Sequence, residues 1–223
     1  LETERPVARL SLSGPLPGVL AAARAVAAEL PLLPPLASLA EQGRALALGL
    51  PARPHRLGAP DTSAAATAED AFLAAAGHLV EVMRQQSARI RPDAPPEPVH
   101  QTRVALRRLR SVFRVFRAAT DCPALRGIDA QLREVLTVLG PARDWDVFLG
   151  GILRQVEGAF ADEKRIAGLR RAAEAQRRDA YAAVVAMLGD APWRLLLIDL
   201  VAMLLNRPWR EDAEPPQHAL LAE

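Results

Sequence analysis

Between Val99 and Arg117 the chain reads VHQTRVALRRLRSVFRVFR, and its apolar positions recur every three or four residues, the spacing of one helix face. Upstream, Phe72, Ala76, Leu79 and Met83 keep the same spacing behind Thr67, Glu69 and Asp70, a capping side chain followed by acids in a first turn. The prolines of RPDAPPEP forbid continuation and predict a turn between these two helices. Downstream, IDAQLREVLTVLG predicts a helix stopping at Gly140 and Pro141, and ARDWDVFLGGILRQV a new one with Asp144 near its start. A charged helix from about Asp162 to Gly189 and an apolar one from Trp193 to Leu205 follow. Before Pro60 the pattern changes. Leu10 and Leu12, flanked by Arg9, Ser11 and Ser13, alternate as in a strand, VLAAARAVAAEL predicts a helix ending near Pro31, and LLPPLASLAEQGRALALG predicts a second strand. The organisation expected is a small α+β segment over 1–60, a linker over 61–67 and a helical domain over 68–223.

Half the 223 residues are hydrophobic, alanine is abundant and aromatics are few, which favours helices packed on helices. The fold class expected is therefore mainly α, a helical bundle. The lone Cys122 excludes an intramolecular disulfide and a cysteine metal cluster. The start LETERPVARL has neither an initiator methionine nor the pattern of a signal peptide, so the chain is expected to be a piece of something longer. The run from Pro192 to Leu205 contains Arg194 and Asp199 and is shorter than the roughly 20 residues of a membrane span. No membrane partner is expected. A glycine-rich phosphate loop is missing, as is any Ser/His/Asp or His/Cys spacing that nominates a nucleophile or a zinc site, so no catalytic residue, metal or cofactor is expected.

Charge changes the picture only through its distribution, because the formal net charge is +2. Lys164 is the single lysine; heavy arginine use suits phosphate recognition, and it equally suits a GC-rich genome. At about 100° per residue, His100, Arg103, Arg107, Arg110, Arg114 and Arg117 fall within a sector of about 100° and make a stripe on the order of 25 Å long. The same count sets Val104, Leu109, Val112, Phe113 and Phe116 on the opposite, core-facing side. A solvated surface is the ordinary meaning of charge on a helix. Solvated faces mix signs, however, because like charges at i, i+4 repel by a few tenths of a kcal/mol. The stripe therefore suggests neutralisation by an extended polyanion or by acids from a neighbouring helix. Arg108 lies off the stripe and is expected to pair structurally with Asp144 or Asp146. His100 is either structural or a ligand; His55, His78 and His218 read as linker, packing and tail residues.

VHQTRVALRRLRSVFRVF followed by LGPARDWDVFL resembles the first half of the conserved histidine α-helical domain, the CHAD family. That resemblance implies an all-helical fold of two pseudo-symmetric repeats, each supplying a basic helix to a cleft that binds inorganic polyphosphate. It puts His100, Arg103, Arg107, Arg108 and Arg110 on the motif's basic positions, and APWRLLLIDLVAMLLNRPWR looks like the opening of the second repeat. A second histidine-and-basic helix is expected beyond His218. ARLSLSG and ASLAEQGRALALG resemble two strand-bearing pieces of a CYTH domain, the triphosphate tunnel fold. Ser11, Ser13, Leu39 and Gln42 stand where that family carries charges, which argues against triphosphatase activity.

The leading expectation is a non-catalytic module holding inorganic polyphosphate through His100, Arg103, Arg107, Arg110, Arg114 and Arg117. A cytoplasmic location, including polyphosphate granules, goes with it. A metal-dependent tunnel phosphohydrolase with a polyphosphate-recruiting domain, and a nucleic-acid binder, are the alternatives. Stacking aromatics would mark the latter, whereas Phe113 and Phe116 are assigned to the core.

Overall fold

The computed structural model describes residues 8–50, 58–160 and 163–211. Helix α3 (Ala68–Ser87) starts where the sequence predicts, through a reciprocal cap. The Thr67 hydroxyl accepts from the Asp70 N–H at 3.1 Å, and the Asp70 carboxylate accepts from the Thr67 N–H at 3.1 Å. Helix α4 (Glu97–Val115) begins behind Pro95 and Pro96 and packs along α3, so that Phe72, Leu79 and Met83 meet Leu106, Leu109 and Phe113 in one core. The Phe72 ring contacts those of Phe113, Phe116 and Trp209 at centroid distances of 6.0, 5.9 and 5.0 Å.

After α4 the backbone breaks at Phe116 into the single turn α5 (Arg117–Thr120). Helix α6 (Pro123–Val147) then runs unbroken through Gly140 and Pro141, where the sequence predicts a stop. Burial on both sides of that point wins over the local breaker: Leu132, Leu139 and Ala142 are fully enclosed between α4 and α8 (Lys164–Gly189). One π-helical turn, Phe148–Ile152, carries the chain from α6 into α7 (Leu153–Ala159). The expected start of α8 at Asp162 lies outside the described residues.

Helix α9 (Ala191–Asn206) buries Trp193, Leu196, Leu200 and Met203 and explains the charges inside its apolar run. Arg194 donates to the carbonyls of Ala27 (2.7 Å) and Gly189 (2.5 Å), and Asp199 pairs with Arg24. Both clamp α1 (Leu16–Glu29) onto α9. Among the described residues no helix is long and apolar enough to cross a membrane.

The fold is mainly α, a helical bundle, and the α+β character expected for the N-terminal segment is corrected. Among the described residues there is no strand. Leu10 and Leu12 are exposed with no partner ladder, and the second expected strand is instead helix α2 (Leu39–Leu48). Its start is an S-x-x-E box: Ser38 Oγ accepts from Glu41 N at 3.2 Å, and Glu41 Oε2 accepts from Ser38 N at 2.7 Å. His55 and His218, read as linker and tail residues, lie outside the described residues, as does the region beyond His218.

Candidate anion-binding site

Helix α4 turns Val99, Thr102, Ala105, Leu106, Leu109 and Phe113 into the core, a sector that is not diametrically opposite the arginine stripe. Arg103 consequently sits at the seam with α6, and Arg110 at the edge between that seam and the open face. Arg103 is half-buried and donates from Nη1 to the Leu136 carbonyl at 3.0 Å. Burial pushes its guanidinium below the usual arginine range; Asp144 opposes that shift, and Arg107 and Arg143 add to it. Arg110 makes a fork onto Asp129, Nε to Oδ1 at 2.6 Å and Nη2 to Oδ2 at 3.3 Å. Asp129 Oδ2 also accepts from Arg133 at 3.1 Å.

On the open side, Val104, Arg107, Arg108, Arg110, Ser111 and Arg114 line a recess of about 400 Å³. Among the described residues no acid contributes to this lining. Arg107 and His100 make no side-chain hydrogen bond or ion pair with the described residues, and Arg114 reaches only the Ser111 hydroxyl, at 3.1 Å. Val104, assigned to the core from periodicity, belongs to the recess wall instead, because the core sector is rotated away from it.

Arg117 does not continue the stripe. It opens α5, beyond the break at Phe116, and lies 3.6 Å from Asp121, which also pairs with Arg126 at 3.0 Å. Of the six residues expected to act together, the fold thus brings Arg107, Arg110 and Arg114 around one recess. It places Arg103 at the adjoining seam, and His100 and Arg117 outside the lining.

Arg108 is corrected more sharply. It is exposed, lines the recess and donates from Nη1 to the Gly58 carbonyl at 3.2 Å, with no ion pair to Asp144 or Asp146. The same carbonyl lies 3.4 Å from His78 Nε2. Asp146 is directed to the other side of α6, into α8. There it accepts from Arg177 Nε (2.7 Å) and Tyr181 OH (2.9 Å), with Arg177 stacked 4.0 Å above the Tyr181 ring. Burial, and then the bond to Asp146, push the Tyr181 hydroxyl above its ordinary range.

The CHAD domain family model matches residues 74–223, well over half of the chain. The chain belongs to the CHAD family. No curated protein and no solved structure matches it. The CHAD match begins inside α3 and contains the whole recess. A helical count confined to α4 omits the charges that α6 supplies: Arg126 and Arg133, seven residues apart, with Asp129 between them on the same helix flank. That i, i+3, i+7 spacing was the available signal. Arginines are permanent cations with donors only, so the recess can hold an anion.

Proposed function

We propose that residues 68–223 form a non-catalytic module that binds inorganic polyphosphate in the recess on α4, with residues 61–67 connecting it to the N-terminal segment. The observation that carries the reading is the gathering of Arg107, Arg108, Arg110 and Arg114 around one recess with no acid in its lining among the described residues. Membership of the CHAD family supports the same ligand. Each guanidinium offers a planar pair of donors that matches two oxygens of one phosphate. A linear phosphate chain carries a charge on every unit and can engage several guanidiniums at once. Arg103 adds charge at the seam, while His100, in the first turn of α4, and Arg117, beyond the break that ends it, meet only a chain long enough to extend past the recess.

Single-stranded nucleic acid carries the same phosphates at wider spacing and gains affinity from aromatic stacking. Phe113 is buried and Phe116 half-buried against Phe72, so neither offers a stacking face beside the arginines. Competition distinguishes the two ligands. Labelled long-chain polyphosphate bound to the protein is expected to be displaced by unlabelled polyphosphate at a concentration, per phosphate, about tenfold or more below that of single-stranded RNA. Equal or better displacement by RNA contradicts the proposal.

A further inference from the structure

The α4 recess is not uniformly open to an incoming anion, because among the described residues Arg110, one of its four arginines, is already held by a carboxylate. Arg110 gives both arms of its fork to Asp129, and Asp129 takes a third hydrogen bond from Arg133. A carboxylate clasped between two guanidiniums occupies the place, and satisfies the donors, that a phosphate oxygen pair would. Both partners are about a quarter exposed, so the contact is within reach of a ligand in solvent. Burial raises the Asp129 carboxyl, but the bonds from Arg110 and then Arg133 overcome this and hold it below the ordinary range. It stays charged near neutral pH.

We infer that Asp129 is a built-in competitor for the anion, which sets a minimum chain length for binding by withholding Arg110 from short phosphates. The inference rests on the polyphosphate reading. A short phosphate meets Arg107, Arg108 and Arg114 and is repelled by the Asp129 charge beside them. Taking Arg110 as well means breaking the fork and leaving Asp129 to Arg133 alone. A long chain can leave the fork intact and draw further contacts from charges beyond the recess, such as Arg103 and His100, so Asp129 costs it less.

Calorimetric titration of the whole chain with tripolyphosphate and with long-chain polyphosphate tests this, using wild type, Asp129→Asn and Asp129→Ser, with thermal melts as the check on folding. Removing the charge is expected to tighten tripolyphosphate binding by about tenfold and long-chain binding by about threefold, the scale of a partly exposed ion pair plus the relieved repulsion. Arg133→Gln, which leaves Asp129 to Arg110 alone, is expected to weaken tripolyphosphate binding. Wild-type binding with unchanged or weaker affinity in folded Asp129 variants overturns the inference and leaves the polyphosphate reading standing. Loss of folding in both variants overturns it too, by making Asp129 a structural anchor. Absence of binding in wild type and variants alike overturns the polyphosphate reading itself.

Discussion

Two arginine clusters, one on each flank of α6, treat the same charge in opposite ways. Towards α8, Arg177 is mostly buried, bonded to the fully buried Asp146, stacked on Tyr181 and hydrogen-bonded to the Ala94 carbonyl at 3.0 Å. Towards α4, Arg107 and Arg114 stand exposed without a carboxylate, beside two further arginines. The buried cluster has its full complement of partners because an uncompensated charge in the interior costs several kcal/mol. Arg107 in the open cluster leaves its donors facing water, and the mutual repulsion of these arginines slightly opposes folding. A charge that contributes nothing to the fold is the one available to a ligand.

Removing the buried counter-charge is the strongest way to break this contrast. Asp146→Asn keeps the shape but leaves Arg177 uncompensated, and is expected to destabilise the fold by about 2–4 kcal/mol. A melting temperature within 1 °C of wild type would show that the network is dispensable. Polyphosphate affinity of the folded variant is expected to be unchanged.

Glu69 offers a milder test of the same kind. It ties the end of the described chain to α3, accepting from Trp209 Nε1 at 2.8 Å and from Arg210 Nε at 2.9 Å. The Arg210 fork holds its carboxyl below the usual range against the opposing effect of burial, helped by Trp209. A lowered folded-state value means stabilisation that is complete above the unfolded value of 4.5 and is lost as the pH falls through the folded one. Glu69→Gln is therefore expected to cost about 1–3 kcal/mol at pH 7, with the gap from wild type closing below pH 4.5. Melting curves from pH 7 to pH 3 check this; a gap constant with pH would detach the effect from the charge.

The smallest stability effect is expected on the open side. Arg107→Ala with Arg114→Ala is expected to leave stability within about 0.5 kcal/mol of wild type, or to raise it slightly by relieving repulsion. A melting temperature several degrees lower would mean that these arginines hold the fold and would erase the contrast.

Much of this arrangement was legible from periodicity. The cap at Thr67, the α3–α4 turn and the bounds of α9 follow from local chemistry, and the structure agrees. The passage of α6 through Pro141 and the helix at Leu39 were misread for different reasons. Long-range burial overrode the first signal, whereas the Ser38–Glu41 box was a local signal overlooked. For the site, the helical count correctly put Arg107, Arg110 and Arg114 together. It could not show how far the core sector was rotated, so Val104 was assigned to the wrong side and Arg108 to the wrong partner. Nor does a one-helix count on α4 contain Asp129 of α6 or Asp121 after α5, the carboxylates that convert two apparently free arginines, Arg110 and Arg117, into paired ones.

The central claim is that the exposed guanidiniums of α4 bind polyphosphate by charge. Its most direct test is the salt dependence of long-chain polyphosphate affinity, from about 0.05 to 0.5 M, for wild type and for the Arg107→Ala, Arg114→Ala double variant. Counterion release predicts a steep linear fall of log affinity with log salt in wild type, and a slope shallower by about 1.4 in the double variant, roughly 0.7 per lost phosphate contact. Wild-type affinity that does not change over that tenfold range, or identical slopes in the two proteins, would contradict it.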